Sequence, residues 1–176
     1  LMKKLFFTYG LFAFAIVAAQ PIDLSRHFSG LKARTIGPAG MSGRVTAIDA
    51  VHSNADIIYI GAASGGVWKT TNGGASWNPI FDDQPTQNIG AIQQSNPSTV
   101  WVGTGEGNPR NSISIGEGLY KTIDGGKTWK LMGLEKTKNI HRIIVDPTDP
   151  NTVYVGAIGN PYGAHPERGV YKTTDG

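Results

Sequence analysis

Two stretches of the chain gather the side-chain types that do chemistry. In Thr104-Gly105-Glu106-Gly107-Asn108-Pro109-Arg110-Asn111, a carboxylate, an amide and a guanidinium alternate with Gly105, Gly107 and Pro109, which shape the backbone around them. In the run from Ala157 to Arg168, the side chains of His165, Glu167 and Arg168 fall close together. A general acid or base must be a titratable group held within reach of the proton it moves, so Glu106 and Glu167 are the catalytic candidates. Asn108, Arg110, His165 and Arg168, with Arg44 from Gly40-Met41-Ser42-Gly43-Arg44, supply donors for a polar ligand. Gly103-x-Gly105-x-Gly107 has the look of a phosphate-cradling loop but opens no helix, so no helix dipole stands behind its amides. The histidines lack metal-ligand spacing and the chain has no cysteine, so no metal and no cofactor are expected.

A further set of polar residues recurs in a glycine-rich turn. Thr70, Asn72, Gly74, Ser76 and Trp77 are matched by Thr122, Asp124, Gly126, Thr128 and Trp129, and Asp175 stands at the third occurrence. Asn72-Gly73 and Asp124-Gly125 suit a hairpin turn that needs positive φ. An Asn or Asp there accepts hydrogen bonds from the turn's own amides. These carboxylates are therefore expected to be structural, and each Trp is expected to start a strand and pack on neighbouring structure.

The elements that must position these residues form a repeat of about fifty residues. Trp68, Tyr120 and Tyr171 in the Gly-Val/Leu-aromatic-Lys-Thr echo are spaced by 52 and 51 positions. Ile58-Tyr59-Ile60-Gly61, Val100-Trp101-Val102-Gly103 and Val153-Tyr154-Val155-Gly156 form a second echo in the same register, and a third lies earlier in each unit. Each unit reads strand A, turn, strand B, loop, strand C, tight turn, strand D. Strand A is expected at Val45–Val51, Ile89–Gln93 and His141–Val145, and strand B at Ile57–Gly61, Thr99–Gly103 and Thr152–Ala157. Strand C is expected at Gly66–Thr70, Gly118–Thr122 and Gly169–Thr173. Asn96-Pro97, Asp146-Pro147 and Asp149-Pro150 give the A–B connections their turn chemistry. Four short antiparallel strands per unit at this period imply β-propeller blades, an all-β fold, with residues 43–176 covering about three blades. The third stops at Asp175-Gly176 inside its turn, so a longer propeller is expected, and the rest of that propeller is one expected partner.

Composition agrees with this fold. Glycine supplies 24 of 176 residues and only 16% are charged, which fits many strands and tight turns and excludes a charge-rich disordered tail. Met2-Lys3-Lys4 followed by the apolar run from Leu5 to Ala19, ending in Val17-Ala18-Ala19, reads as a secretory signal with cleavage after Ala19. That run is too short to span a bilayer, so secretion without membrane insertion is expected, with residues 20–42 as a leader. Loss of Lys3 and Lys4 leaves 14 basic against 13 acidic side chains, which gives no support to nucleic-acid binding.

The glycine-rich turns give the chain its family likeness: it resembles the Asp-box, or BNR, propellers, which include sialidases, xyloglucan-type glycosidases and the sortilin-type receptor ectodomain. The resemblance covers roughly Ile36 to Gly176. It implies that B–C and D–A loops share a ligand-bearing rim and that the C–D turns lie on the opposite one. It also implies a catalytic Asp after strand B of an early blade in xyloglucan-type enzymes, where this chain has Ser64 in Ala62-Ala63-Ser64-Gly65-Gly66. Ala33-Arg34-Thr35-Ile36-Gly37-Pro38 lacks the Phe/Tyr-Arg-Ile-Pro order that the resemblance to sialidases would require. Glycoside hydrolysis generally uses two carboxyl groups, and one of the implied pair is missing. The expectation is therefore a secreted, sortilin-like binding or scaffold propeller with a peptide or polysaccharide ligand and no turnover on xyloglucan. The alternative is a glycoside hydrolase that uses rim carboxylates partly outside this sequence.

Overall fold

The computed structural model describes residues 44–108 and 110–176. The expected signal (1–19), the leader (20–42) and the Ala33-to-Pro38 stretch lie outside the described residues, as does Pro109. Among the described residues, β1 (Val45–Ala50), β2 (Ile58–Ala62), β3 (Gly66–Thr70) and β4 (Asn78–Pro79) form one sheet in chain order. A second contains β5 (Ile89–Asn96), β6 (Thr99–Thr104), β7 (Leu119–Thr122) and β8 (Lys130–Gly133), and a third β9 (Ile140–Val145), β10 (Val153–Ala157) and β11 (Gly169–Thr173). All pairings are antiparallel. No helix among the described residues is long and apolar enough to cross a membrane.

The expected strands A, B and C stand where the echoes put them, with two instructive differences. Strand β5 runs three residues past the expected Gln93 because the first sheet grips it. Gln94 donates its amide N–H to Asp49 Oδ2 at 2.6 Å and its side-chain Nε2 to the Ala50 carbonyl at 2.7 Å. Strand β4 is two residues long and lies at the sheet edge, where Pro79 is tolerated, and Ile80 N–H still bonds to the Val67 carbonyl at 2.9 Å.

The echoes have a common physical cause: each sheet lays one face on the next. One apolar core joins the first and second sheets through Tyr59, Val67, Phe81, Ile89, Val102 and Tyr120. Another joins the second and third through Trp101, Leu119, Ile140, Ile143, Val153 and Val155. The glycine that closes each strand B sets the spacing. A Cβ on Gly61 would lie 2.5 Å from Ile89 Cγ2, and one on Gly103 would lie 2.4 Å from Ile140 Cγ2, so the next sheet's first isoleucine seats directly on bare backbone. The strand-C lysine adds a polar tie. Lys69 lies over the Tyr59 ring and donates to the Gly125 carbonyl at 2.9 Å, while Lys121 lies over Trp101 and donates to the Gly176 carbonyl at 2.7 Å. On the third sheet Lys172 lies over Tyr154 in the same way. There the equivalent face is open: Val170 is 78% exposed where Val67 is fully buried.

The C–D hairpins build themselves from their own polar groups. Thr122 Oγ1 donates to Asp124 Oδ1 at 2.7 Å and accepts from the Gly126 amide at 3.0 Å, and Asp124 Oδ1 accepts from the amides of Lys127 and Thr128, both at 2.9 Å. Asn72 repeats this pattern with Thr70 and Ser76, and Asp175 accepts from Thr173. Each hairpin is then tied to the A–B turn of its own sheet, by Gly73 to Asp56, Gly125 to Ser98 and Gly176 to Asn151. Trp129 reaches back to the first sheet, donating Nε1–H to the Ile80 carbonyl at 2.6 Å and meeting the Phe81 ring edge-on at 5.0 Å.

The hydroxyl and amide of Thr128, the Thr122 hydroxyl and the Lys127 amide hold the Asp124 carboxyl well below the usual carboxylate range. A depressed folded value means that Asp124 stabilises the fold above its unfolded value of about 4 and loses that contribution as pH falls below it. Asn72 shows that an amide keeps the turn bonds without titrating. Asp124→Asn should therefore leave the melting temperature near wild type at pH 7 and lose less of it between about pH 4 and 2. Asp124→Ala should lower it at pH 7, because the turn amides lose their acceptor. Parallel acid-melting curves for wild type and Asp124→Asn would contradict this assignment.

Candidate functional site

Because each sheet is an antiparallel meander, its B–C and D–A connections meet at the end opposite the hairpins. One polar position before each strand A organises that end. The carbonyls of Arg44, Asn88 and Asn139 accept, in turn, the amides of Ala63, Gly105 and Ile158, the residues that leave strand B of the same sheet. All three side chains then hold the long loop from Gly105 to Gly118. Asn88 Nδ2 donates to the Ile115 carbonyl at 2.7 Å, Asn139 Nδ2 donates to the carbonyls of Glu106 and Ser114, and Arg44 Nη2 pairs with Glu106 Oε1.

The Gly-x-Gly-x-Gly stretch is what lets this loop lie against the start of the third sheet. A Cβ on Gly105 would sit 2.2 Å from the Lys138 carbonyl oxygen, and one on Gly107 would sit 2.1 Å from His141 Nδ1. Lys138 itself takes φ 59 and ψ −53, with the Asn139 amide bonded to the Thr137 carbonyl at 2.6 Å. That is a γ-turn in a sparsely populated region, and it delivers Asn139, fully buried, beneath the Glu106 carbonyl.

At the centre of the loop stands Glu106, with no exposed surface. Arg44 and Arg110 both reach its carboxylate: Arg110 Nε donates to Oε1 at 3.2 Å and Nη2 to Oε2 at 3.4 Å, beside the Arg44 contact to Oε1. Burying a lone carboxylate costs several kcal/mol, which is why such groups carry partners. Two guanidiniums against one carboxylate leave the cluster with a net positive charge and keep the two arginines, 36% and 46% exposed, at the surface.

The second long loop, from Ala157 to Gly169, is braced differently. Arg168 donates to the carbonyls of Ile158, Asn160 and Gly163 at 2.6–2.7 Å, so its charge folds its own loop. His165 packs its ring on Gly159 with a buried Nδ1 that has no partner. Glu167 Oε2 accepts from the Tyr171 hydroxyl at 3.3 Å, and burial together with this carboxylate pushes the Tyr171 phenol up from its ordinary value. Tyr162 joins the two loops by donating its hydroxyl to the Arg110 carbonyl.

Of the residues singled out in the sequence, the structure brings Arg44, Glu106 and Arg110 into one cluster. His165, Glu167 and Arg168 belong to the neighbouring loop, and Asn108 is exposed on the first. Ser64 is exposed in the short β2–β3 turn. Asn88, Asn139 and Tyr162 escaped sequence reasoning. Two of them leave a signal: Asn88-Ile89 and Asn139-Ile140 repeat at the head of strand A, in register with the other echoes.

A groove of about 370 Å³ runs along Thr46–Asp49, Gly90–Gln93 and His141–Ile143. His141 lies at its end with its ring against Gly107, next to Glu106. Fixed guanidiniums and an exposed tyrosine are groups able to hydrogen-bond hydroxyls and anions.

No family model matches the chain. Over 139 residues it is 30% identical to an oligoxyloglucan-reducing end-specific xyloglucanase of Emericella nidulans, an alignment covering 75% of this chain and 16% of that enzyme. Among solved structures, it resembles a GH74 enzyme of Niastella koreensis, with a TM-score of 0.54, 24% identity, and coverage of 71% of this chain and 19% of that one. A GH74 xyloglucanase of Xanthomonas campestris matches with a TM-score of 0.57, 15% identity, and coverage of 76% and 20%. YCF48 of Cyanidioschyzon merolae matches with a TM-score of 0.50, 16% identity, and coverage of 75% and 37%. The chain thus spans about a sixth of the length of the xyloglucanase it matches. The likeness to the xyloglucanase favours the glycosidase-like alternative over the sortilin-like one, and the solved structures, with the three antiparallel sheets, make the fold a β-propeller.

Proposed function

We propose that the chain supplies blades of a secreted, glycosidase-like propeller whose ligand is a polysaccharide, held on the rim formed by Arg44 and the 105–118 and 157–169 loops. The observation that carries this reading is the 30% identity to a xyloglucanase over most of the chain, coincident with a rim of fixed, solvent-facing donors. Secretion rests on the Lys3-Lys4 and Leu5-to-Ala19 pattern. Glu106 acts here as the anchor of two arginines, since both its oxygens already accept guanidinium N–H groups. Ser64 stands where the family likeness implies a catalytic Asp, so recognition is the part of glycosidase function these blades provide. Any hydrolytic pair draws on carboxylates elsewhere in the protein.

The test is affinity electrophoresis of the intact natural protein in gels containing xyloglucan, mixed-linkage β-glucan, polygalacturonate or no polysaccharide, with reducing-end release measured alongside. Retardation by at least one polysaccharide is expected, with little or no release from xyloglucan. Identical migration in every gel would overturn the reading.

A further inference from the structure

We propose that the Arg44–Glu106–Arg110 cluster is a site for the carboxylate of an acidic sugar, so that the polysaccharide ligand of this rim carries uronic acid residues. This rests on the polysaccharide reading above and adds a charge requirement to it. Three observations carry it. The cluster holds two guanidiniums against one buried carboxylate, so a second anion would complete its charge balance. Arg44 uses Nη2 and Arg110 uses Nε and Nη2 on Glu106, and among the described residues neither side chain has another partner, which leaves further N–H donors on two part-exposed guanidiniums. Both arginines come from different sheets and are already fixed by the same buried group, so little rotamer freedom is lost when they grip a ligand.

Two neighbours favour a sugar as the carrier of that carboxylate. Tyr162, 62% exposed, is tied by its hydroxyl to the Arg110 main-chain carbonyl, which holds an exposed aromatic face at the residue that carries the guanidinium. His141 packs its ring against Gly107 of the same loop and lines the groove along the first strands. A pyranose ring stacked on an aromatic face, with its carboxylate on a guanidinium fork, uses both features at once.

Calorimetric titration of the intact protein with trigalacturonate, its fully methyl-esterified form and a neutral xyloglucan oligosaccharide tests the proposal. The acid should bind at least about tenfold tighter than the ester, roughly the worth of one charge-assisted hydrogen-bonded pair, and the preference should shrink at high salt. Arg110→Gln should abolish the preference. Glu106→Gln, which removes the competing negative charge but keeps an acceptor for the arginines, should retain or increase it. A merely structural role for the cluster would instead lower binding of acid, ester and neutral sugar together in both variants. Equal affinity for acid and ester overturns the proposal. If the neutral oligosaccharide still binds, the polysaccharide reading survives; if no sugar binds, both fall. Preference for a peptide with a free terminal carboxylate over its amide, without trigalacturonate binding, also overturns it. Should Arg110→Gln fail to fold, Arg44→Gln must show the same loss of preference.

Discussion

Gly105→Ala is expected to destabilise the protein by about 2–5 kcal/mol, enough to unfold the rim or the whole blade pair. Gly105 has φ +88, a backbone setting that costs a side-chain-bearing residue about 1–2 kcal/mol. Its absent Cβ would also lie 2.2 Å from the Lys138 carbonyl oxygen and 2.8 Å from both Asn139 Cα and the Gly116 nitrogen. All three are main-chain atoms, so no rotamer change relieves the overlap, and overpacking adds about 1–3 kcal/mol more. Urea unfolding followed by circular dichroism checks it. Gly169→Ala is the matched control, since nothing lies within 4 Å of its Cβ position, and its effect should stay within about 0.5 kcal/mol. A Gly105→Ala protein as stable as that control would mean that the loop does not pack on the third sheet as described.

Phe81→Ala should cost about 3–5 kcal/mol, the usual range for deleting a buried aromatic. The ring is fully buried between the first two sheets and meets Tyr120 edge-on at 5.2 Å and Trp129 at 5.0 Å. Edge-to-face pairs contribute about 0.5–1.5 kcal/mol beyond burial. Combining Phe81→Ala with Trp129→Phe should therefore cost less than the two separate effects added. Full additivity in urea unfolding would show that the hairpin tryptophan does not join the sheets through this ring.

Phe81 also shows where the sequence stops being readable. The strands were legible because the same neighbour recurs at each step: Gly61 and Gly103 must be bare for Ile89 and Ile140, and Lys69 and Lys121 must reach the next hairpin. Any constraint that repeats leaves an echo. Phe81 lies in a D–A link, where Ile80-Phe81 in one unit is answered by Met132-Gly133-Leu134 in the next, and the altered spacing hides the shared packing role. The candidate site was half legible. Glu106 and Arg110 drew notice as polar residues among glycines, and Arg44 as a polar residue before a strand. Their convergence was not readable, because it depends on contact between residues 62 positions apart in different sheets. Asn139 illustrates the same limit. Its role comes from a γ-turn at Lys138, a backbone geometry that no residue type there announces.

The proposed ligand rim lies at the end opposite the glycine-rich hairpins. Asp124 and Asn72 use their side-chain oxygens on their own turns, and Trp129 is packed on Phe81. The rim carries donors that are fixed but unspent. A crystal structure of the intact protein soaked with a xyloglucan oligosaccharide, and with trigalacturonate in parallel, decides between the two ends. Sugar density is expected against Arg110, Arg44 and Tyr162. Sugar bound at the hairpin end, or an empty rim in crystals soaked at saturating concentration, would contradict it.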